Sequence, residues 1–153
     1  MAQSQPHQSS TQSQTAKGTK TPSSGTQWTH GKVYWSELMT HDVEKAKTFY
    51  KAALGWTFEA MPMDHGTYWI IKSHDETAGG MFEMKDAALK NMPEQWVTYI
   101  AVDDVDARLK KALSAGAKVV KEPFEIKGVG RNVILREPGG ALVCWMTPSR
   151  MTS

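Results

Sequence analysis

The chain has 153 residues, a single cysteine and a formal net charge of +2. This length is sufficient for one domain with a buried core, and the lone Cys144 excludes a disulfide within this sequence or a zinc site built from several thiolates. Lys17 and Lys20 carry the whole net charge, so the chain after them is formally neutral and lacks the basic surface of a nucleic-acid binder. A single cysteine also fits a reducing compartment, and we expect a cytoplasmic protein that binds no nucleic acid.

The first 28 residues differ in composition from everything that follows. Residues 3–27 are dominated by Gln, Ser, Thr, Pro, Gly and Lys, and they contain no large apolar side chain. Such a segment buries too little surface to offset the entropy of ordering it. The composition therefore predicts a disordered tail over residues 1–28 and a folded domain over residues 29–149. We also expect neither a signal peptide nor a membrane anchor, because no stretch is apolar for long enough.

The first half of the predicted domain, residues 31–84, reads as one strand, one helix and three further strands. Asp42 is a good N-cap for a helix, and Gly55 is a natural stop because glycine adopts positive φ without a Cβ clash. Apolar residues between these two positions recur at helical spacing. Alternating and β-branched runs predict the strands, which cover residues 32–38, 56–61, 67–73 and 80–84.

The second half, residues 96–148, predicts the same order of elements after a polar linker over residues 85–95. Asp104 is the expected N-cap of its helix and Gly116 the expected stop. The strands of this half cover residues 96–102, 118–126, 131–136 and 141–146.

Matching landmarks in the two halves indicate an internal repeat of about 60 residues. Asp42 and Asp104 are 62 residues apart, and Gly80 and Gly140, each taken as the end of a turn, are 60 apart. The predicted fold class is α+β, with two tandem βαβββ modules. Each module is a curved sheet with one outer helix, so two open inner faces can enclose a cavity.

Several motifs extend this prediction to a known family. They are Trp35-x-Glu37-Leu38-x-Thr40-x-Asp42, Leu54-Gly55-Trp56, Ala101-Val102-Asp103-Asp104-Val105 and Arg136-Glu137-Pro138-Gly139-Gly140. Together they resemble the vicinal oxygen chelate superfamily, which includes glyoxalase I, bleomycin-resistance proteins, fosfomycin-modifying enzymes and extradiol dioxygenases. The resemblance covers roughly residues 30 to 148. It implies the paired-module fold, in a barrel-shaped sheet, but not one reaction, because this scaffold supports many chemistries.

Enzymes of that superfamily hold a divalent metal with His and Glu side chains. By the family's spacing, the positions on the two opening strands are Trp35 and Val97, and that on the last strand is Cys144. The fourth position is Met84, or Glu83 after a one-residue slip. Trp and Val do not coordinate metals, and Met is a poor ligand for hard cations. We therefore expect no metal or other cofactor at the usual place, with a metal held by Glu37 and loop histidines as the less favoured alternative.

Strand parity predicts which side chains face the cavity, because residues two apart point the same way. The predicted ligand-binding residues are Trp35, Glu37, Val97, Tyr99, Leu142 and Cys144. Such a lining is mostly apolar with few polar groups, which is typical of a small-molecule site.

Two of these residues have alternative interpretations. Trp35 either contacts a ligand or simply fills the core. Glu37 is the candidate catalytic residue, since a carboxyl group in an apolar cavity has a raised pKa and can transfer protons. Alternatively, Glu37 forms a structural ion pair with a basic residue such as Arg131.

The leading hypothesis is a protein that binds a small, partly aromatic molecule, by sequestration or as a carrier or sensor. The alternative is a glyoxalase-like lyase, isomerase or hydroxylase that uses Glu37 for proton transfer or recruits a metal at other ligands. A third hypothesis is an accessory protein whose tail recruits a partner. We expect a homodimer, and closure of the barrel within one chain or between two is left open, as are the ligand and the presence of turnover.

Overall fold

The computed structural model describes residues 28–149. The predicted tail lies outside the described residues apart from Trp28. The elements are, in chain order, β1 (Val33–Thr40), α1 (Val43–Leu54), β2 (Thr57–Met63), β3 (Gly66–Ser73), β4 (Glu76–Glu83), β5 (Gln95–Ala101), α2 (Val105–Ser114), β6 (Lys118–Ile126), β7 (Gly130–Arg136) and β8 (Leu142–Pro148). Neither helix of residues 28–149 is long and apolar enough to cross a membrane.

The eight strands form one curled sheet in the order β2-β3-β4-β1-β5-β8-β7-β6. The modules meet along β1 and β5, which run antiparallel, while β4 and β8 each pair in parallel with the first strand of their own module. In the central pair, Trp35 lies opposite Tyr99 and Glu37 lies opposite Val97. Val97 is the repeat equivalent of Trp35, and Tyr99 is that of Glu37. Replacing each residue by its equivalent therefore turns one pair into the other, so an approximate twofold axis passes between β1 and β5, at the seam where the two modules meet. The predicted α+β architecture of two βαβββ modules is confirmed.

The helix ends follow the predicted local signals. The Asp42 carboxylate accepts a 2.9 Å hydrogen bond from the backbone N–H of Lys45, and Asp104 accepts the equivalent bond from Ala107, also at 2.9 Å. Gly55 ends α1 in the left-handed conformation with φ 69°. The second helix ends at Ser114, two residues before Gly116, whose φ is 96°. Both glycines thus supply a backbone conformation that residues with a Cβ rarely adopt.

The sheet separates three apolar clusters. Helix α1 covers Leu38, Ile71 and Met81 on the outer face of module one, and Val105 and Leu109 of α2 pack against Val133 and Leu135 on that of module two. The inner, concave face carries the third cluster, which includes Met39, Val97, Tyr99, Ile134, Cys144 and Met146. Leu89 and Met92 of the connection between β4 and β5 are also buried in this cluster. The linker, which was predicted to be polar, therefore contributes two side chains to the core.

The Gly79-Gly80 pair is the main departure from the predicted elements. The sequence interpretation took this pair as a turn leading into a strand over residues 80–84, whereas both glycines lie within β4, which begins at Glu76. A Cβ at Gly79 would lie 2.7 Å from the carbonyl oxygen of Ser36, and a Cβ at Gly80 would collide with the hydroxyl of Tyr68. Glycine is present here because the neighbouring chain and ring come too close for a side chain, and not because a turn requires it.

This register also corrects the predicted equivalence of the closing strands. Gly80 lies opposite Glu37 in the first module, and Cys144 lies opposite Tyr99 in the second. Because Glu37 and Tyr99 are equivalent, the equivalent of Cys144 is Gly80 and neither Met84 nor Glu83. Gly80 and Cys144 are 64 residues apart, whereas the glycines matched in the sequence, Gly80 and Gly140, are 60 apart. The repeat offset is therefore larger at the closing strands than the matched glycines indicate.

Candidate functional site

A cavity of about 350 Å³ lies against the concave face of the sheet. Its apolar walls comprise Met39, Phe82, Leu89, Phe124 and Ile134, and its lining also includes charged residues, namely Asp64, Glu83, Lys85, Lys121 and Glu125. The tips of the β2–β3 and β6–β7 hairpins, which include His65 and Lys127, also line it. Each module therefore contributes walls from its central strands and a hairpin from its far edge.

Glu37, Tyr68 and Tyr99 are three of the polar side chains that line this cavity, and they lie next to one another. Glu37 on β1 is only 5% exposed. The Tyr99 hydroxyl, from β5, donates a 2.8 Å hydrogen bond to Glu37 Oε1. The Tyr68 hydroxyl, from β3, lies close enough to the Glu37 carboxyl group to affect its pKa. A carboxyl group from one module is thus flanked by phenols from both modules.

Trp35 on β1 adds a further hydrogen bond to this group of side chains. Its indole Nε1 donates a 2.8 Å hydrogen bond to the Tyr68 hydroxyl. Tyr68 is on β3, which is separated from β1 by β4, so its ring must pass over the intervening strand. The missing side chain of Gly80 leaves the space that the Tyr68 hydroxyl occupies. The local reason for glycine at position 80 is therefore the site itself.

Burial determines the electrostatics of the network. Desolvation raises the pKa of Glu37, while the hydroxyl groups of Tyr68 and Tyr99 act in the opposite direction. Burial also raises the pKa of both phenols and of the Cys144 thiol, and the nearby Glu37 carboxyl adds to each increase. Burial and the carboxyl group thus favour the uncharged forms of the phenols and the thiol.

The proposed ion pair between Glu37 and Arg131 is not formed. Arg131 instead contacts Asp106 of α2 through two hydrogen bonds of 2.6 and 2.9 Å, and its third contact is Glu125. Alternation along β7 explains this outcome, because Arg131 shares the outer side with Val133 while Ile134 faces the cavity. In the part of the chain that the structure describes, no Lys or Arg side chain contributes to the environment of Glu37.

The six residues predicted to bind ligand are all near the concave face but in different positions. Glu37 and Tyr99 line the cavity. Val97 and Cys144 are buried in the inner cluster, against which Trp35 and Leu142 pack, partly buried. The lining residues that sequence reasoning missed include Tyr68, Phe82, Leu89 and Phe124. The alternation of side chains along β3 could have indicated that Tyr68 faces the cavity. Its proximity to Glu37, however, depends on Gly80 lying opposite Glu37 and leaving space for the Tyr68 hydroxyl.

The donor set does not fit the divalent metal that enzymes of the resembling superfamily hold. The four structurally equivalent positions are Trp35, Gly80, Val97 and Cys144, and only the thiol could coordinate a metal. Across residues 28–149, no three His, Cys, Asp or Glu side chains are grouped as metal ligands. The expectation of a metal-free site stays a prediction that metal analysis must test.

The fold and the cavity define a paired-βαβββ scaffold with a site at the seam between its modules. The family model of the Glyoxalase/Bleomycin resistance protein/Dioxygenase superfamily matches residues 32–145, and the chain belongs to this superfamily. The resemblance inferred from the motifs is thereby confirmed.

Two named relatives are similar to this chain. A protein named "Putative glyoxylase CFP32" from Mycobacterium tuberculosis is 37% identical over 120 residues, which are 78% of this chain and 45% of that protein. The anthracycline biosynthesis protein DnrV from Streptomyces peucetius is 27% identical over 128 residues, or 76% of this chain and 46% of that protein. The chain thus spans about half the length of the curated relatives that it matches.

Solved structures show the same fold. A methylmalonyl-CoA epimerase from Streptomyces coelicolor superimposes with a TM-score of 0.54 at 20% identity, covering 79% of this chain and 99% of its own. A hypothetical protein from Bacillus halodurans gives a TM-score of 0.56 at 12% identity, covering 80% and 98%. At these identities the likeness concerns the fold alone.

Proposed function

We propose that this protein binds a small, largely apolar molecule in the cavity between its two modules. The observation that carries the proposal is a cavity of about 350 Å³ that has aromatic and aliphatic walls and, at its buried side, the Glu37 carboxyl group beside Tyr68 and Tyr99. Small-molecule sites commonly range from about 300 to 1,000 Å³ and combine apolar walls with a few placed polar groups. The cavity is therefore suited to a compact molecule that combines an apolar body with polar groups.

The aromatic walls favour a flat molecule. Phe82 and Phe124 line the cavity, and Lys121 Nζ lies 4.4 Å from the ring centroid of Phe124. Lys121 also forms a 2.8 Å ion pair with Asp86 at the cavity edge. An aromatic ligand gains from such neighbours both by apolar burial and by ring contacts. One of the relatives is named for anthracycline biosynthesis, which agrees with a ligand of this kind.

Calorimetric titration of the full chain with flat bicyclic molecules tests this proposal. We expect saturable binding with about one molecule per chain. The variant Phe124→Ala should weaken binding because it removes an aromatic wall, whereas Phe49→Ala should not, since Phe49 is a residue of α1 that is 61% exposed and does not line this cavity. Absence of binding by every aromatic probe, or equal losses in both variants, would refute the cavity as the site.

The second candidate function is a proton-transfer enzyme. It is favoured by one observation, a carboxyl group that is 5% exposed, faces a cavity and lies beside two phenols, because such burial raises its pKa. The structural neighbours include methylmalonyl-CoA epimerases, but at 20% identity they support only the scaffold. In this function Glu37 would remove or return a proton at carbon, and no metal step is part of the proposal.

Solvent exchange at carbon distinguishes the two candidates. Incubation with thioesters and 2-oxo acids in D₂O, followed by proton NMR, reports removal of an acidic C–H without knowledge of the product. An enzyme should catalyse this exchange and lose it in Glu37→Gln while binding persists. A binding protein should catalyse no exchange in either form. The superfamily's alternative, a metal at other ligands, would require exchange that a chelator abolishes.

We further propose that the protein is a cytoplasmic homodimer. The support is an exposed aromatic surface on the outer face of module one, where Phe49 is 61% and Trp96 40% exposed beside Tyr50 and Trp56. Apolar surface of this kind is often covered in assemblies. Light scattering coupled to gel filtration should give twice the chain mass. A monomer at micromolar concentration would contradict this part of the proposal.

A further inference from the structure

Asn132 on β7 is a buried polar side chain that the site described above does not use. It is 0% exposed, and its Nδ2 donates a 2.9 Å hydrogen bond to the carbonyl oxygen of Gly130. Among residues 28–149, its Oδ1 is the only buried side-chain nitrogen or oxygen atom without a hydrogen-bond partner. The Gly130 carbonyl oxygen can only accept, so the amide group must direct Nδ2 towards it and leave Oδ1 free.

The position of Asn132 in the sheet places it beside the cavity wall. Alternation along β7 puts Asn132 on the same side as Ile134, which lines the cavity. On β6 the residue directly opposite is Phe124, which also lines the cavity. The Cβ atoms of such opposed residues lie about 5 Å apart on one face of the sheet. On the other side Asn132 pairs with Met146 of the inner cluster. Asn132 is therefore adjacent to two residues that line the cavity.

The internal repeat supports a role for this position in the cavity. Gly80 and Cys144 are equivalent in the closing strands. The same offset on the neighbouring strands makes Asn132 the equivalent of Tyr68, which lines the cavity in module one. Module two thus has a carboxamide where module one has a phenol, and both are inward-facing polar groups. β5 and β8 separate β7 from β1, so Asn132 lies three strand spacings of about 4.8 Å each from the strand that carries Glu37.

The free Oδ1 requires a donor that the neighbouring side chains do not supply. Phe124 has no donor group, and the thioether of Met146 is at most an acceptor. A buried amide oxygen without a donor is unfavourable, so such groups in folded proteins are normally satisfied by an ordered water or a bound molecule. Leucine has the same branched shape and would avoid this cost. The presence of asparagine therefore points to a donor from outside the chain.

We propose that Asn132 is a specificity-determining residue of the cavity, and that its Oδ1 accepts a hydrogen bond from a hydroxyl or N–H group of the bound molecule. The ligand reaches Asn132 through a rotation of the Phe124 ring, which is partly buried and lies next to Asn132 in the cavity wall. The ligand class is an aromatic molecule with a phenol-type or amine-type donor at the end that lies in module two. This inference rests on the proposed binding function and specifies its ligand class.

The chain contains two asparagines, Asn91 and Asn132, so NMR of the full chain labelled with ¹³C only at asparagine reports the proposed contact directly. 2-Naphthol carries a hydroxyl donor, and 2-methylnaphthalene is its donor-free counterpart of nearly equal shape. 2-Naphthol should shift the Asn132 side-chain carbonyl signal saturably, because a donated hydrogen bond deshields that carbon. The signal of the exposed Asn91 should stay in place, and 2-methylnaphthalene should bind without shifting the Asn132 carbonyl signal.

Two other outcomes overturn the inference in distinguishable ways. If both probes bind and shift the Asn132 signal equally or not at all, an ordered water satisfies Oδ1, and the inference fails while cavity binding stands. If neither probe binds, the inference and the proposed binding function fail together.

The variant Asn132→Leu provides the matched affinity test, with Asn91→Leu as the same change at an exposed position. Calorimetry gives the ratio of the affinities for 2-naphthol and 2-methylnaphthalene, in which a general loss of packing cancels. Asn132→Leu should lower the preference for 2-naphthol about tenfold, the value of one hydrogen bond, and Asn91→Leu should leave it unchanged. An unchanged preference in Asn132→Leu would show that the hydroxyl binds elsewhere and would contradict the proposal. If Asn132→Leu does not fold, the titration of the native chain decides the question.

Discussion

Tyr99 and Glu37 occupy the same position in the two copies of the repeat, and the Tyr99 hydroxyl donates a 2.8 Å hydrogen bond to Glu37 Oε1. The duplication has thus placed a phenol and a carboxyl group at equivalent sites on either side of the seam. Neither module could form this pair alone. The central polar contact of the cavity is therefore a product of the divergence of the two copies.

Removal of the Tyr99 hydroxyl should raise the pKa of Glu37 further, because that hydrogen bond lowers it. The variant Tyr99→Phe should also lose about 1 kcal/mol of unfolding free energy, the usual value of one buried hydrogen bond. The pKa is measured from the carboxyl carbon shift in NMR, and the stability from urea unfolding. Tyr34→Phe on exposed β1 surface should change neither quantity. An unchanged Glu37 pKa in Tyr99→Phe would show that the contact is weak in solution.

Glu37 should also make stability depend on pH. Its folded-state pKa is raised, so the folded protein binds more protons than the unfolded chain above the ordinary Glu value of 4.5. The contribution of Glu37 is fully present below that value and is lost as pH rises through the folded pKa. The stability difference between the native chain and Glu37→Gln should therefore fall from pH 4 upwards. A difference that is constant, or that grows with pH, would contradict a neutral buried Glu37.

Gly80 should be intolerant of a methyl group. In Gly80→Ala the new Cβ collides with the Tyr68 hydroxyl, so the ring must leave both Trp35 and Glu37. Overpacking of this kind costs about 1 to 3 kcal/mol. Gly139→Ala is the matched control, because its Cβ would meet only the flexible end of Glu137. In the double variant with Tyr68→Leu, the two losses should be less than additive. Additive losses would mean that Tyr68 does not occupy the space above Gly80.

Metal analysis should find less than stoichiometric zinc, nickel, manganese or iron in protein purified without chelators. The positions equivalent to the superfamily's ligands are Trp35, Gly80, Val97 and Cys144, which together offer one possible donor. Elemental analysis by mass spectrometry measures the content directly, with a zinc enzyme of known occupancy as the control. One metal ion per chain that survives dialysis would overturn the expectation and restore the metal-dependent alternative.

The sequence was informative wherever structure depends on local signals. Asp42, Gly55 and Asp104 mark helix ends through contacts within a few residues of themselves, so their roles could be predicted. Gly80 was misassigned because a glycine pair near a strand usually marks a turn, and its actual reason is the ring of Tyr68 on another strand. The network at Glu37 joins three strands and both modules. Its assembly depends on strand register, which composition and spacing do not determine.

The most direct test of the account is NMR of protein labelled with ¹³C at the methionine methyl groups. Met39 lines the cavity, whereas Met81 is buried under α1 on the opposite face of the sheet. The variants Met39→Leu and Met81→Leu assign the two signals with little change in packing. Addition of 2-acetonaphthone should shift the Met39 signal saturably and leave the Met81 signal in place. Saturable binding that moves Met81 and not Met39 would show that the ligand site lies elsewhere.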